Sequence, residues 1–238
     1  MTKSKGRELI YQGTTKNLYT ADQPNLLVME FISESHDIKK LRGKTKSLVN
    51  LRAEISSYLF AYLEKYQIPT DFVRTLTDSE LLIKQNKPIQ TTVHVYNYAT
   101  TSLSKRFDLK EGDPLTFPIL EYCYFNKDKS KTAINETHIL SLGMVSIEDF
   151  KAINRLATKT NAVLRSLCER RNLVLTDVEL EFGHIEDKIV LSGELSPLTC
   201  RFWNISEDGK YQRDYFNHSN ENIYKVFSEL NDRLSHKV

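Results

Sequence analysis

The 238-residue sequence is poor in glycine and proline, and it has no long hydrophobic run. With only 8 glycines and 6 prolines, and no low-complexity tract, it offers few places for a flexible linker. No segment approaches the ~18 consecutive apolar residues that span a membrane, and no apolar stretch follows the charged N-terminus as it does in a signal peptide. These absences predict a cytoplasmic protein that does not bind membranes.

Cysteine, histidine and net charge exclude further classes. Cys123, Cys168 and Cys200 are far apart and form no C-x-x-C pair, so neither a disulfide framework nor a zinc site is predicted. The six histidines lack metal-ligand spacing, and none belongs to a nucleophile motif. A net charge of +2 gives no field that would favour nucleic acid. We therefore expect small-molecule ligands and no nucleic acid.

Hydrophobic periodicity predicts antiparallel strands and long helices. Residues 8–31 alternate as a meander of three strands, and leucine and isoleucine recur at helical spacing over 45–66. A second long helix is predicted over 146–171, with Ser146 as its N-cap. An amphipathic helix is predicted over 220–234.

The remaining segments are predicted to be strands and loops. Strands are expected over 81–84 and 90–98, while 113–135, with two prolines and an aromatic run, is expected to form loops with one short strand. This order predicts an α+β fold. A two-lobed arrangement is expected, with a β-rich lobe over 1–88 and an α+β lobe over 89–238 around a cleft.

Two segments carry groups suited to an anionic ligand. Gly13, in a predicted hairpin turn, lies beside hydroxyl residues and Lys16, so backbone N–H groups there could contact phosphates. In residues 97–106, hydroxyl residues precede Lys105 and Arg106, which offer a point charge and a bidentate donor. An ordinary solvated turn and an exposed basic helix start are the alternatives.

Carboxylates and an arginine are gathered in the last third of the chain. Asp177, Glu179 and Glu181 alternate within a hairpin predicted over 173–191, so they project from one strand face, and carboxylates on such a face can hold Mg²⁺. A solvent-facing strand edge is the alternative. Arg201 follows a Ser-Pro turn and is either an anion clamp or a surface residue.

These segments, in this order and at these separations, resemble the SAICAR synthetase family. The family's Tyr-Glu-Gly-Lys-Ala-Lys is similar to residues 11–16, and its Arg-Asn-x-Ala-Ala-Gly-Ser-Leu-x-Lys-Arg to residues 96–106. Its Asn-Glu-(Asp/Ser)-His is similar to residues 135–138, and its Val-Asp-Phe-Lys-Leu-Glu-Phe-Gly to residues 176–183. Its Asp-Glu-x-Ser-Pro-Asp-(Thr/Gly)-(Cys/Ser)-Arg-x-Trp is similar to residues 193–203. The resemblance covers nearly the full length.

The resemblance implies a two-lobed ligase that forms an amide in purine biosynthesis. In the family, ATP phosphorylates the carboxylate of a phosphoribosyl-aminoimidazole, and the amine of aspartate then displaces the phosphate. ATP and Mg²⁺ are the implied cofactors, bound beneath the N-terminal hairpin, and a homo-oligomer is expected. The implied site residues are Asp177, Glu179 and Glu181 for catalysis; Ser102, Lys105, Arg106 and Arg201 for the sugar phosphate; Gly13, Lys16 and Lys84 for the nucleotide; and Glu181 and Glu194 for the metal.

The departures from the family pattern include five charged positions. The sequence has Thr14 and Glu179 where the family has lysine, Tyr96 where it has arginine, and Gly193 and Leu198 where it has aspartate. The change at 179 reverses a charge that would neutralise ATP oxygens, and Gly193 removes a metal ligand. Glu179 is itself a candidate replacement ligand, because it shares the strand face.

Three functions therefore remain open. Motif order and the retained phosphate-binding residues favour an authentic ligase of the family. The changes at 96 and 198, and a segment over 32–43 that does not match the family's acidic loop, fit a paralogous ligase acting on a related nucleoside or C-nucleoside in a natural-product pathway. The changes at 179 and 193 favour a non-catalytic relative that binds a nucleotide, a phosphoribosyl ligand or a protein.

Overall fold

The computed structural model describes residues 6–33, 45–126, 131–216 and 222–235, which form two antiparallel sheets and five helices. The unmatched segment over 32–43 lies, from residue 34 onward, outside the described residues. In chain order the elements are β1 (Leu9–Gln12), β2 (Lys16–Thr20), β3 (Leu26–Phe31), α1 (Thr45–Lys65), β4 (Phe72–Thr77), β5 (Glu80–Lys84), β6 (Lys87–Pro88), β7 (Thr91–Tyr98), α2 (Thr101–Phe107), β8 (Pro114–Phe125), β9 (Lys131–Ile134), α3 (Glu136–Ser141), α4 (Ile147–Glu169), β10 (Leu173–Ile185), β11 (Lys188–Ser192), β12 (Cys200–Ile205), β13 (Tyr211–Gln212) and α5 (Ile223–Ser235). None of these helices is long and apolar enough to cross a membrane.

The smaller sheet has the strand order β1-β2-β3-β5-β4 and comes from the N-terminal third of the chain. Helix α1 packs on this sheet through Ile55, Leu59 and Leu63, which are fully buried. The predicted meander and first helix are confirmed. Strand β4 is absent from the sequence prediction, because four of its six residues are exposed and its apolar side chains follow no clear period.

The larger sheet has the order β13-β12-β10-β7-β8-β9, and the 13-residue strand β10 runs through its middle. The first half of β10 pairs with β12 and β7, and the second half pairs with β11 and β6. Asp177 therefore lies opposite both Tyr96 and Arg201, whereas Glu181 lies opposite Ser192. The hairpin that the sequence predicts is confirmed by the β10–β11 pairing.

The prediction of loops with one short strand over 113–135 is wrong. That segment contains the 12-residue strand β8 and the short strand β9. Pro118 is tolerated because the β7–β8 ladder is irregular between the register pairs Tyr96↔Ile119 and Tyr98↔Pro114. A proline there does not interrupt a regular ladder of hydrogen bonds.

The helices of the C-terminal part agree with the sequence prediction. Helix α4 begins after Ser146, whose Oγ accepts a hydrogen bond from the backbone N–H of Asp149 at 3.0 Å. One hydrophobic cluster includes residues of both sheets and of α1, α4 and α5. The α+β fold is confirmed, while the lobe boundary between residues 88 and 89 stays a prediction.

Candidate active site

Each of the three alternating carboxylates of β10 has a cation supplied by a different strand. The pairs, with the distance between the charged atoms, are Glu181–Lys16 of β2 (2.9 Å), Glu179–Lys131 of β9 (2.7 Å) and Asp177–Arg201 of β12 (3.5 Å). Three of the sequence-predicted segments therefore meet at one strand. One of the three cations, Lys131, is missed by the sequence analysis because it lies in the segment expected to be a loop.

Lys16 and Glu181 connect the smaller sheet to the larger one. They are 165 positions apart, and the Lys16 side chain is only 17% exposed. Burial alone would lower the pKa of Lys16, but the charges of Glu181 and Glu194 outweigh it and raise the pKa. Lys16 is therefore a fixed positive charge, as a phosphate ligand requires.

Gly193 makes room for the carboxylate of Glu181. Its φ of +81° is one that residues with a side chain rarely adopt. A Cβ at this position would lie 2.6 Å from Cδ of Glu181 and 2.8 Å from both of its oxygens. The glycine thus lacks the carboxylate of the family's aspartate, and the space beside it is occupied by the carboxylate of Glu181.

Glu194 forms a buried ion pair with Arg52, a residue that the sequence analysis does not identify. Arg52 donates from Nε and Nη2 to the two carboxylate oxygens, each at 3.0 Å, and both side chains are almost completely buried. Arg52 also donates to the carbonyl oxygens of Thr15 (3.3 Å) and Ile32 (2.9 Å), while Ser196 donates to Glu194. The pair therefore anchors the N-terminal hairpin to the larger sheet.

These contacts determine which carboxylate oxygens are free to bind Mg²⁺. No group of three or more metal-binding side chains converges among the described residues. Both oxygens of Glu194 are occupied by Arg52, and the Asp177 oxygens are bonded to His94 and Thr176. Glu181 is 42% exposed, and its contact with Lys16 uses one oxygen. Glu181 fits a metal ligand best, and the assignment of Glu194 stays a prediction.

Asp71, between α1 and β4, is a buried carboxyl group near the same cluster. Burial raises its pKa to about 8, and the charge of Glu181 adds to this while Lys16 opposes it. Its Oδ2 accepts a hydrogen bond from Asn86 at 2.8 Å, and its Oδ1 has no partner among the described residues. The sequence gives no signal for this group, because only the fold buries it.

The negative charge of Glu179, which stands where the family has lysine, has two partners in the structure. In addition to Lys131, it accepts a hydrogen bond from Thr92 at 3.0 Å. Strands β7 and β8 lie between β10 and β9 in the sheet order, so a flat sheet would place β9 and β10 about 14 Å apart. The close contact means that the sheet curls, with these side chains on its concave face.

Asp177 holds His94 on the same concave face. The distance from His94 Nε2 to Asp177 Oδ1 is 2.8 Å, and Thr176 donates to Oδ2 at 2.9 Å. The His94 ring stacks on Tyr96 with ring centroids 4.0 Å apart and an interplanar angle of 23°. Burial, with the charges of Glu121 and Asp177, raises the pKa of Tyr96, which keeps its hydroxyl protonated.

The predicted sugar-phosphate residues are only partly brought together. Ser102, Lys105 and Arg106 lie on the short helix α2, exposed to solvent, and Arg106 contacts Glu121 at 2.6 Å. Arg201 has a side chain 58% exposed. The Tyr96 hydroxyl also donates to Glu121, at 3.3 Å.

Arg201 lines a cleft of about 430 Å³ beside α2. Thr101, Trp203 and Asp214 lie in the same wall, whereas Ser102, Lys105 and Arg106 are not part of it. The alternative of an exposed basic helix start therefore describes α2 in this structure, and its role in phosphate binding stays a prediction.

Gly13 and Lys84 also keep the status of predictions. The N–H of Gly13 donates to the carbonyl oxygen of Lys16 at 3.0 Å, so it closes the hairpin turn. Lys84 is exposed at the end of β5, and its backbone N–H donates to the carbonyl oxygen of Asp71 at 2.7 Å. Within the described residues, neither Gly13 nor Lys84 forms a hydrogen bond or an ion pair with Glu181.

The chain is similar to known proteins over almost its whole length. The family model for SAICAR synthetase matches residues 9–234. A phosphoribosylaminoimidazole-succinocarboxamide synthase from Campylobacter concisus is 37% identical over 232 residues, covering 96% of this chain and 98% of that protein. The crystal structure of such a synthase from Ehrlichia chaffeensis is 29% identical with a TM-score of 0.83, covering 97% and 100% of the two chains. A SAICAR synthetase in complex with ADP is 31% identical, also with a TM-score of 0.83, covering 97% and 98%.

Proposed function

The chain belongs to the SAICAR synthetase family, and from this premise we propose that it is an ATP-dependent ligase of purine biosynthesis. The reaction joins the carboxylate of a phosphoribosyl-imidazole to the amine of aspartate. The observation that carries the proposal is the contact between Lys16 and Glu181, which unites the N-terminal hairpin and β10 in one site. The ADP complex of a relative supports nucleotide binding.

We propose that the phosphates of ATP lie between Lys16 and Glu181. The fixed charge of Lys16 would stabilise negative charge on the transferring phosphoryl group. Glu181 would offer one carboxylate oxygen to Mg²⁺, which commonly binds to one or two carboxylates together with substrate phosphates and water. Mg²⁺ would supply neutralisation of the phosphate charge. The Arg52–Glu194 pair would hold the hairpin in place.

On the acceptor side, Arg201 is the best-placed cation for the sugar phosphate because it lines the cleft. Ser102, Lys105 and Arg106 would complete this site when α2 moves toward a bound ligand. Once phosphorylated, the carboxylate becomes an acyl phosphate, and the amine of aspartate displaces phosphate from it. The concave face that carries Asp177 and Glu179 would receive that amine.

A specific contact favours the ligase over a non-catalytic relative. The strongest argument for lost activity is the reversed charge at Glu179. However, the Nζ atom of Lys131 lies 2.7 Å from the Glu179 carboxylate and supplies a cation there. The pair keeps the local charge balanced, so the site is not left with an uncompensated carboxylate facing ATP. The paralogous ligase shares this argument and differs only in its acceptor.

Titration calorimetry with Mg-ATP, followed by the carboxyaminoimidazole ribotide, tests the proposal. We expect both to bind, and we expect phosphate release and the succinocarboxamide product when aspartate is added. Lys16→Met should abolish ATP binding, with the exposed Lys188→Met as control. Binding of the ribotide without ATP would reject the ligase and leave a ligand-binding relative. Turnover only with other acceptors would identify the paralogue.

We also propose a cytoplasmic location and a homo-oligomer. Exposed Phe107 and Phe117, near the end of α2 and in β8, offer apolar surface for self-association. Light scattering would measure the mass in solution, and a monomer at assay concentration would reject this part of the proposal.

A further inference from the structure

The pair of His94 and Asp177 is a feature of the site that the proposed reaction has so far left without a role. Asp177 is buried, with a side chain 5% exposed, and its contact with His94 Nε2 is 2.8 Å. His94 is 17% exposed and belongs to β7, the strand next to β10. A buried carboxylate that fixes one ring nitrogen of a histidine leaves the other nitrogen available with a defined orientation.

Two further contacts restrict the His94 ring. It stacks on Tyr96 with ring centroids 4.0 Å apart, and Thr176 holds the second oxygen of Asp177. Within the described residues, Nε2 is the only ring nitrogen of His94 that takes part in a hydrogen bond. The Nδ1 atom is therefore the one that can accept a proton from a ligand.

The charged groups around His94 are balanced. The residues opposite it on the adjacent strands are Glu179 of β10 and Glu121 of β8. Glu179 is paired with Lys131 and Glu121 with Arg106, while Arg201 lies beside Asp177. Each carboxylate that faces the imidazole thus has its own cation, and Tyr96 is held protonated. His94 is not needed as a counter-ion, which leaves it free for chemistry.

The pair also lies between the two arginines assigned to the sugar phosphate. Contacts run from Arg201 to Asp177 (3.5 Å), from Asp177 to His94 and from His94 to Tyr96. They continue from Tyr96 to Glu121 (3.3 Å) and from Glu121 to Arg106 (2.6 Å). These contacts place His94 in one connected network with both arginines.

We propose that His94, oriented by Asp177, is the general base that activates the amine; this inference rests on the proposed ligase function. The amine arrives as an ammonium ion, which has no electron pair to donate. Nδ1 of His94 accepts one ammonium proton, and the freed pair forms the bond to the acyl carbon. The bond from that carbon to the phosphate oxygen breaks, and phosphate leaves with its electrons and takes up the second proton of the amine. The imidazolium ion faces the Asp177 carboxylate, which stabilises it.

The competing explanation is structural: the pair would only tie β7 to β10. The two explanations differ in how the enzyme responds to the nucleophile. A general base is needed for an amine that is protonated at neutral pH, such as aspartate. It is not needed for hydroxylamine, which is uncharged at neutral pH and attacks acyl phosphates to give hydroxamates. A structural defect would lower both rates alike.

The test compares His94→Gln with His184→Gln in the full-length chain. His184 is a matched control, because its Nε2 lies 3.6 Å from Asp149 at the far end of β10, outside the site. We expect H94Q to lower kcat with aspartate by about 10²-fold or more and to leave hydroxamate formation nearly unchanged. H184Q should behave as the wild type in both assays.

Each other outcome identifies a different failure. If H94Q forms amide and hydroxamate at wild-type rates, or loses both equally while still folded, His94 is not the base and the ligase proposal stands. If the wild type forms neither product, the ligase proposal itself fails and the inference falls with it. Should H94Q not fold, Asp177→Asn serves instead: it should lower the aspartate rate selectively, and an equal loss with hydroxylamine would overturn the inference.

Discussion

The two ends of the carboxylate row on β10 are built differently. At the arginine end, which comprises Arg52, Glu194, Lys16 and Glu181, close ion pairs join the two sheets, and every side chain except that of Glu181 is at most 17% exposed. At the histidine end, which comprises Asp177, His94, Glu179 and Lys131, pairs face a concave surface, and two of the side chains are 26% and 34% exposed. The comparison distinguishes ion pairs that stabilise the fold from ion pairs whose side chains can leave a protein partner and bind a ligand.

The largest expected effect is at the arginine end. Arg52→Met leaves the Glu194 carboxylate buried without its cation, which should lower the free energy of unfolding by about 3–5 kcal/mol. Urea denaturation measures this. Arg7→Met, which breaks the more exposed Arg7–Glu80 pair, is the control and should cost less than about 1 kcal/mol. Equal losses would mean that burial does not distinguish these pairs.

A pH effect should come from Asp71, which interacts electrostatically with Lys16 and Glu181 of the arginine end. The pKa of Asp71 is about 8 in the folded protein, above the ordinary value of 3.8, so the folded state holds a proton that the unfolded state has lost between these values. The free energy of unfolding should therefore fall as pH rises from about 5 to 8, by at most about 1.4 kcal/mol per pH unit from this group.

Asp71→Asn should remove this slope, because the amide does not ionise. Its stability relative to the wild type should therefore increase with pH. Denaturation curves at several pH values measure the difference, and parallel curves for the two proteins would contradict the assignment.

Gly193 provides an intermediate effect. Gly193→Ala places a side chain at a φ of +81°, at a cost of about 1–2 kcal/mol, and it also displaces Glu181 from Lys16. Gly209→Ala is a matched control, because its φ is +77° but nothing lies within 4 Å of the added Cβ. We expect both variants to lose stability and only G193A to lose affinity for Mg-ATP. Equal affinities would show that the position of Glu181 does not matter for the nucleotide.

The smallest expected effect on stability is at the histidine end. Glu179→Lys or Lys131→Glu alone should cost less than about 1 kcal/mol, because the pair is partly exposed. The double variant, which carries both Glu179→Lys and Lys131→Glu, should recover most of the lost stability if the ion pair contributes to the free energy of unfolding. Urea denaturation of the four proteins closes the cycle. Additive effects would mean that Lys131 does not compensate Glu179.

Local sequence patterns account for most of the fold and for part of the site. Helix α4 and its Ser146 cap are local features, and so is the β10–β11 hairpin, which is why they are predicted correctly. Strand β8 is missed because its two prolines and half-buried face imitate a loop. The fit of Pro118 depends on an irregular pairing that no local pattern reveals.

The site residues that the sequence misses come from distant parts of the fold. Lys131 meets Glu179 only because the sheet curls, and Arg52 meets Glu194 only because the fold brings α1 next to the turn after β11. His94 had a signal: it lies between the apolar Val93 and Val95 along β7, which places it on the opposite strand face, with Thr92 and Tyr96. Its partner Asp177 shares that face.

Gly193 limits which substitutions this position can accept. The volume that an aspartate would need at this position is filled by Glu181, whose carboxylate is bonded to Lys16. Restoring the family's aspartate in a single step would therefore produce a damaged protein unless Glu181 had already moved. Position 193 can therefore accept an aspartate only together with a shift of the Glu181 side chain.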